Sequence, residues 1–363
     1  MKRKGSNMPV WTWVTPLAAL ALLIAANVFG AGTLLVALCG IGLMGSVIAA
    51  VHHAEVVAHR VGEPFGTLVL ALAVTAIETS LIVSMMSAGG PESAVLPRDT
   101  VYAAVMIICN GVIGICILMG GLAHREQSFR VEGAGAGLAA LIVMSVLALI
   151  FPVFTTSLPG PGSYSGAQMA FVAISSAALW SVFVFVQTVR HRDYFIPAVD
   201  PADPESHAQP PTLRETWLSF AMLLVSLVVV VGLAKILSPS IEQAVDSVGA
   251  PRAVVGIVIA MLVLLPETWA AVRAARANRL QTSLNLAIGS AVACIGLTIP
   301  AVIVAAIVLD LPLILGLEAK DMLMLALTFL VSVITLGTGR TYIMQGAVHL
   351  VIFAAFLFLA FVP

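Results

Sequence analysis

The stretch Gly62–Met86, GEPFGTLVLALAVTAIETSLIVSMM, decides the fold class of this chain. Residues 65–86 are long and apolar enough to cross a bilayer as a helix, and they contain no Lys, Arg or Asp. They nevertheless carry Glu78. A carboxylate at that depth costs about 2.5–3.5 kcal/mol on insertion scales, and such groups usually mark function. The stretch therefore predicts a membrane-spanning helix that presents an ionisable side chain.

A second segment repeats this anomaly. Leu262–Ala271, LVLLPETWAA, carries Glu267. Of the 18 acidic residues, only Glu78 and Glu267 lie well inside apolar segments. We expect the two carboxylates to face each other near the bilayer midplane and to form one cation site. The alternative for Glu78 is a protonated carboxyl group bonded to a neighbouring helix.

Composition places the chain among polytopic membrane proteins. It is 60% hydrophobic and 10% charged, with a mean hydropathy of +1.09, whereas soluble domains carry about 25% charged residues. The lipid bilayer is therefore its expected environment, and nothing in the sequence supports nucleic-acid binding. The four cysteines show no CxxC spacing, so neither a disulfide framework nor a zinc site is indicated. We expect no cofactor.

Apolar runs of spanning length predict an all-α protein with eleven transmembrane helices. These runs cover residues 10–29, 32–51, 65–86, 101–122, 134–154, 168–189, 217–236, 253–272, 283–309, 322–339 and 342–362. With the N-terminus in the cytoplasm, 13 of the 17 Lys and Arg residues fall on the cytoplasmic side and 4 fall outside. This asymmetry predicts a cytoplasmic N-terminus and an external C-terminus.

The longest polar stretch divides the chain into two halves. We predict an N-terminal transmembrane helix at 1–30, a five-helix repeat at 31–189, a cytoplasmic linker at 190–216 and a second five-helix repeat at 217–363. Because five is odd, the second repeat must cross the membrane in the opposite sense. Inverted repeats of this kind are typical of secondary transporters, whose sites lie between the halves. Glu78 and Glu267 fall on the second helix of each repeat.

Oxygen atoms that could accompany the two carboxylates come first from their own helices. Thr75, Glu78 and Thr79 share one helical face, although such hydroxyls often bond to their own backbone. Pro266 has no N–H group, so the carbonyl of Leu262 loses its usual donor and becomes a candidate ligand. A simple proline kink is the alternative.

Neutral polar groups occur in the fourth and ninth spans. Asn110 lies deep in the fourth span and is a candidate ligand, with an interhelical hydrogen bond as its alternative role. In the ninth span, Gly289 and Ser290 favour close packing and local unwinding. His349, in the last span, is expected to be a packed histidine and not a ligand.

Three ionisable residues recur at the cytoplasmic end of the second span. His52, Glu55 and His59 follow i, i+3, i+7 spacing and would share one helical face. The spacing differs from HExxH, so a zinc protease is not indicated. These residues form either a solvated helix end or a proton path, because histidine titrates near neutral pH.

Several segments resemble one known family. They are LPETWAAVRAARANRLQTSLNLAIGSAVACIGLTIP (265–300), GEPFGTLVLALAVTAIETS (62–80), GGLAHREQSF (120–129) and GRTYIMQGAVHLVIFAAFLFLAF (339–361). They resemble the calcium/cation antiporter superfamily and, within it, the bacterial ChaA-type cation/proton antiporters. The resemblance implies eleven spans, two inverted repeats, a bacterial plasma (inner) membrane location and a site built on Glu78 and Glu267. It also implies roles for Asn110 and for Ser290 in the corresponding motifs.

The chain departs from the eukaryotic-type calcium/proton exchangers of this superfamily at three places. Val74-Thr75 and Val263-Leu264 stand where those exchangers carry Gly-Asn, and Ala293 stands where they carry glutamine. Fewer amide oxygens are therefore available, while calcium takes about six to eight oxygen ligands. Either backbone and water oxygens complete the site, or the transported ion is monovalent.

These observations predict a cation/proton antiporter. Two close carboxylates in a low dielectric must bind protons or a cation. Protons and the cation then compete for the same site, and this competition produces exchange. Calcium is the favoured ion, with sodium or potassium as the alternative. A channel would need a ring of equivalent groups, and an enzyme would need a catalytic pair that the sequence lacks. The oligomeric state stays open, with a homo-oligomer as one alternative.

Overall fold

The structure is a computed structural model that describes residues 9–30, 32–62, 65–156, 162–195, 211–247, 249, 251 and 253–362. Within these residues the chain folds into fourteen α-helices and two short strands. The helices are α1 Val10–Phe29, α2 Thr33–Val61, α3 Phe65–Gly89, α4 Leu96–Met106, α5 Ile113–His124, α6 Val131–Ser145, α7 Phe151–Phe154, α8 Gly166–Phe185, α9 Leu213–Ser247, α10 Ala253–Arg276, α11 Leu280–Ala293, α12 Ile299–Val308, α13 Ala319–Leu336 and α14 Ile343–Phe361. The strands are β1 Glu126–Ser128 and β2 Arg340–Tyr342.

The predicted all-α membrane fold is confirmed. Eleven helical segments of the described chain are long and apolar enough to span a membrane. The second span, Thr33–Val61, continues well beyond its predicted end at residue 51, and the fourth, Ser93–His124, begins earlier than predicted. Both extensions contain polar residues, and a prediction from hydropathy alone excludes such residues from a span. The backbone nevertheless continues its helical hydrogen bonds through them.

The seventh span also begins earlier than the predicted residue 217, because α9 has a capping box at its N-terminus. The hydroxyl of Thr212 accepts a hydrogen bond from the Glu215 backbone N–H at 3.3 Å, and the Glu215 carboxylate accepts one from the Thr212 backbone N–H at 2.7 Å. This reciprocal pair satisfies two N–H groups at the first turn. Residues 196–210, which make up most of the predicted linker, lie outside the described residues.

The described residues form two compact units. The first contains those of 1–88 and 200–241, and the second contains those of 89–199 and 242–363. In the first unit, α1 packs along α2, and the Nε2 atom of the fully buried His53 lies 2.9 Å from the Thr12 carbonyl oxygen. The Ser84 hydroxyl of α3 donates to the Val231 carbonyl of α9 at 3.3 Å. The predicted repeat boundaries are a different division of the chain and stay a prediction.

In the second unit, a small antiparallel sheet joins three connections between helices. Strands β1 and β2 pair with Gln127 opposite Thr341. The Gln127 Nε2 atom donates to the Ala275 carbonyl at 2.9 Å and to the Asn278 side-chain oxygen at 3.0 Å. The segments after α5, after α10 and before α14 therefore meet at one end of this unit, which we call the sheet end.

Three other connections meet at the opposite end of the second unit. Arg98 Nη1 donates to the Gly316 carbonyl at 2.8 Å, and Ile314 N donates to the Ala94 carbonyl at 3.0 Å. The Gly316 N–H also donates to the Gly162 carbonyl at 3.0 Å. These three connections were predicted to lie outside, whereas the three that meet at the sheet end were predicted to be cytoplasmic. This grouping agrees with the predicted alternation of the helices.

Four π-helical turns interrupt the α-helices of the second unit. The third helix of each predicted repeat contains one of these turns, at Ile107–Val112 in the first repeat and at Cys294–Thr298 in the second. The others cover Val146–Ile150 and Val186–Arg190. A π-turn inserts an extra residue into the helix, and such turns are frequent at functional sites. The inverted-repeat prediction is consistent with the fold and with this matched pair.

Candidate cation-binding site

Glu267 lies in the middle of α10, and Ser290 lies on α11, which packs directly against it. The Ser290 hydroxyl donates a hydrogen bond to the Glu267 carboxylate. Both side chains are half-buried. The hydroxyl oxygen of Ser290 keeps a lone pair that can face a cation beside the carboxylate. The structure thus brings together two of the predicted site residues.

Pro266 does not break α10. The helix continues from Ala253 to Arg276 with this proline inside it. Because Pro266 has no N–H group, it provides no intrahelical donor for the carbonyl of Leu262. The carbonyl oxygen of Leu262 therefore stays a candidate cation ligand. It lies about one turn before Glu267 on a continuous helix.

The predicted face of α3 is largely buried. Glu78 is 4% exposed and Thr75 is 7% exposed, while Thr79 is half-buried. The Thr79 hydroxyl oxygen finds no hydrogen-bond partner among the described residues. A carboxylate that is almost fully buried has given up most of its hydration, so it requires polar or cationic partners. This burial is compatible with the ligand role of Glu78 and also with its alternative, a protonated carboxyl group bonded to a neighbouring helix, so the ligand role stays a prediction.

Asn110 lies on the π-turn Ile107–Val112 and is fully buried. Its Nδ2 atom donates to the Thr328 hydroxyl of α13 at 2.9 Å, and its Oδ1 atom lies 3.3 Å from Nδ1 of His349 on α14. The alternative role predicted for Asn110, an interhelical hydrogen bond, is therefore present. The same π-turn also packs against α10 and α11, which carry Glu267 and Ser290.

The three ionisable residues of α2 differ in exposure. His52 is half-buried, with its ring centroid 5.5 Å from that of Trp11, whereas Glu55 and His59 are exposed. The exposed pair fits the solvated-end interpretation. The proton-path interpretation stays a prediction. The neighbouring His53 is fully buried, and sequence spacing did not single it out.

Sequence reasoning missed Thr328 and Thr335, and it treated His349 only as a packing residue. His349 is fully buried, with its Nε2 atom 3.1 Å from the Thr335 hydroxyl oxygen. The two threonines lie on a single helix, two turns apart, with Ser332 between them in a largely apolar segment. That spacing was the available signal, but their partners lie far away in the sequence.

Eleven apolar helical segments in the described chain, with ionisable and amide groups buried inside them, are typical of multi-pass membrane transporters, and comparisons with known proteins identify the family of this chain. The sequence profile described as "Sodium/calcium exchanger protein" matches residues 31–189 and 218–362. The chain is 45% identical to the Sinorhizobium fredii protein y4hA, whose name describes it only as an ionic transporter, over 99% of this chain and 98% of that protein. It is 35% identical to the sodium-potassium/proton antiporter ChaA of Escherichia coli, over 88% of this chain and 87% of that protein.

Solved structures show the same fold. Native YfkE superposes with a TM-score of 0.72 at 16% identity, covering 97% of this chain and all of YfkE. The H+/Ca2+ exchanger CAX superposes with a TM-score of 0.70 at 14% identity, covering 96% of this chain and 89% of CAX. The chain belongs to the sodium/calcium exchanger protein family. Members of this family are secondary transporters and not enzymes, which confirms the predicted class.

Proposed function

We propose that this protein is a cation/proton antiporter in which Glu78 and Glu267 bind the transported cation and, alternately, protons. The observation that carries the proposal is the hydrogen bond from Ser290 to Glu267 inside a candidate membrane span. It supplies a carboxylate and a hydroxyl oxygen together at a depth where an ionisable group is costly. The 35% identity to a sodium-potassium/proton antiporter supports the same reaction class.

Exchange follows from competition for the two carboxylates. Ionised carboxylates in a low-dielectric interior must be neutralised by protons or by a metal cation. If the empty, doubly charged site does not cross the membrane, every inward or outward transition carries one of these ligands. A proton gradient then drives the cation in the opposite direction.

Calcium is the first candidate for the transported ion. One divalent cation neutralises two carboxylates, and two protons do the same, so either load leaves no net charge in the site. Carboxylate, hydroxyl and backbone carbonyl oxygens are the hard ligands that calcium prefers. Thr75, Thr79 and the Leu262 carbonyl, together with Asn110, are the further oxygens that the proposal assigns.

Sodium or potassium is the second candidate, and a specific observation favours it. Ala293 is buried on α11, a few residues beyond Ser290, and it offers no side-chain oxygen where the eukaryotic-type calcium/proton exchangers carry an amide. In addition, ChaA, to which this chain is 35% identical, is named for sodium and potassium. A site with few side-chain oxygens suits an ion of lower charge.

The proposal also places the protein in the membrane. We assign it to the inner membrane of a bacterium, with its N-terminus in the cytoplasm and its C-terminus outside, on the basis of the Lys and Arg distribution. His52, Glu55 and His59 then lie at the cytoplasmic end of α2. In this proposal they pass protons between the cytoplasm and the site.

Transport in proteoliposomes tests the proposal. The purified protein is reconstituted with an imposed pH gradient, and fluxes of calcium, sodium and potassium are measured separately. We expect saturable cation uptake that requires the counter-gradient of protons. Glu78→Gln and Glu267→Gln should each abolish it, because neither variant can carry the two negative charges.

Glu132→Gln is the matched control, since Glu132 is exposed at the start of α6 and undergoes the same chemical change. It should transport like the wild type. Calcium flux that is lost in both site variants supports the divalent site, whereas flux of sodium or potassium alone supports the second candidate. Unchanged flux in Glu78→Gln or Glu267→Gln would contradict the site, and non-saturating flux without a counter-ion would indicate a channel.

A further inference from the structure

The contacts of Asn110 determine which way its amide group points. The Thr328 hydroxyl has two acceptors for its hydrogen, the Met324 carbonyl of its own helix at 2.8 Å and the Met106 sulfur at 3.4 Å, and its oxygen accepts from Asn110 Nδ2 at 2.9 Å. The second N–H of the amide points at the sulfur of Met106, 3.9 Å away. In this arrangement both N–H groups of the Asn110 amide have partners, and its Oδ1 atom faces His349.

The tautomer of His349 follows from its contact with Asn110. Asn110 Oδ1 can only accept a hydrogen bond, so the facing Nδ1 of His349, 3.3 Å away, carries the hydrogen. The other ring nitrogen, Nε2, then accepts from the Thr335 hydroxyl at 3.1 Å. The ring is fully buried, and a neutral imidazole avoids the cost of burying a charge. Each ring nitrogen thus has one side-chain partner, and the backbone carbonyl of Cys109, next to Asn110, is a further acceptor beside the ring.

Close contact between α5 and α14 brings His349 to this position. A Cβ atom added at Gly114 would lie 3.0 Å from the Cβ of His349. On the facing helix, one added at Gly346 would lie 2.6 Å from the Leu118 backbone nitrogen. The two backbones touch because these positions have no side chains. A larger residue at either position would move the imidazole away from Asn110.

We propose that His349 is a positioning residue for cation binding. By donating from Nδ1 to Asn110 Oδ1, it fixes the amide and occupies one of the two lone pairs of that oxygen, leaving the other for the transported cation. The π-turn that carries Asn110 packs against α10 and α11, which carry Glu267 and Ser290, and also against α13 and α14. Asn110 therefore lies on a turn that contacts both the helix of Glu267 and the helix of His349. This inference rests on the proposed role of Asn110 as a ligand.

Two substitutions at His349 separate positioning from packing. His349→Leu keeps an apolar side chain of similar size but removes the donor, whereas His349→Asn places an amide N–H where the imidazole Nδ1 lies. We expect His349→Leu to raise the half-saturating cation concentration about 5-fold, the equivalent of one lost hydrogen bond, with the maximal rate nearly unchanged. His349→Asn should stay within about 2-fold of the wild type.

A double-mutant cycle tests whether the effect passes through Asn110. In an Asn110→Ala background, His349→Leu should cause no further rise, because the group that it positions is gone. Additive effects of the two substitutions would overturn the inference, as would an unchanged half-saturating concentration in His349→Leu or in Asn110→Ala. No exchange by the wild type with calcium, sodium or potassium would instead overturn the proposed function. The two failures are therefore distinguishable.

A spectroscopic measurement does not depend on transport. Nitrogen-15 spectra of histidine-labelled wild-type protein in lipid distinguish the two neutral tautomers, and the His349 signal is assigned by its loss in His349→Asn. We expect protonation at Nδ1. Protonation at Nε2 would overturn the inference even if His349→Leu fails to fold.

Discussion

The hydroxyl of Ser290 donates a hydrogen bond to the carboxylate of Glu267, and this bond joins α11 to α10 between residues 23 positions apart. Glu267 is the only one of the two predicted carboxylate ligands that lies in the second unit. Its orientation therefore depends on a group that belongs to the following helix.

Ser290→Ala removes the hydroxyl while leaving the backbone of α11 intact. We expect the half-saturating cation concentration to rise about 10-fold or more, since a hydrogen bond to a charged group contributes about 1.5–3 kcal/mol. The measurement is cation uptake by proteoliposomes at a fixed pH gradient. Ser181→Ala is the control, because the exposed Ser181 on α8 bonds only to its own helix, and it should leave uptake unchanged. An unaltered Ser290→Ala variant would show that this hydroxyl has no part in binding.

Competition between protons and the cation predicts a specific pH dependence. If both bind the same carboxylates, the half-saturating cation concentration rises as pH falls, while the maximal rate at saturating cation stays constant over that range. If two protons are displaced by one cation, the rise approaches about 100-fold for each pH unit under acidic conditions, against about 10-fold for one proton. Cation binding measured by calorimetry across pH provides the slope. A flat profile would contradict shared binding.

The close contact of α14 with α5 predicts the effect of a bulky residue at Gly346. A Cβ atom there would lie 2.9 Å from the Gly114 carbonyl oxygen, so Gly346→Val should destabilise the protein by about 1–3 kcal/mol through overpacking. Thermal unfolding in detergent measures the loss as a lower Tm. Gly135→Ala on α6 is the matched control, because nothing lies within 4 Å of a Cβ atom added there. Equal Tm values for Gly346→Val and the wild type would refute the contact.

The predicted orientation can be read from the two ends of the second unit. In a cysteine-free background, Ser128→Cys labels the sheet end and Ala319→Cys labels the opposite end, and both residues are exposed. A membrane-impermeant thiol reagent applied to intact cells should modify position 319 alone. Position 128 should react only after the membrane is permeabilised. The reverse pattern would invert the orientation, and equal labelling of both positions would show that the two ends are not on opposite sides.

Sequence patterns predicted the spans well because the free energy of inserting a helix is the sum of contributions from its own residues. The eleven predicted runs and the observed spans agree, and Glu78 and Glu267 lie inside two of them. The early start of α9 was also readable, since Thr212 and Glu215 have the spacing of a capping box. Predicted ends differed mainly where a helix continues into polar residues.

The π-turns and the polar contacts of the second unit could not be read in the same way. The turn Ile107–Val112 looks like any apolar helix in sequence, because its extra residue is stabilised by packing against other helices. Asn110 was identified as a polar residue at depth, but Thr328 and His349, which bond to it, lie 218 and 239 positions away. Many other pairings were equally compatible with the sequence.

The sequence by itself determined the membrane fold class, the number of spans and the position of Glu78 and Glu267 inside two of these spans, because hydropathy acts locally along the chain. Only the tertiary structure decided which groups these polar residues meet. A buried hydroxyl, amide or imidazole bonds to the neighbour that packing provides, and α10, α11, α13 and α14 come together through contacts between residues far apart in sequence. The pairing of Ser290 with Glu267 and of His349 with Asn110 is therefore a property of the folded chain.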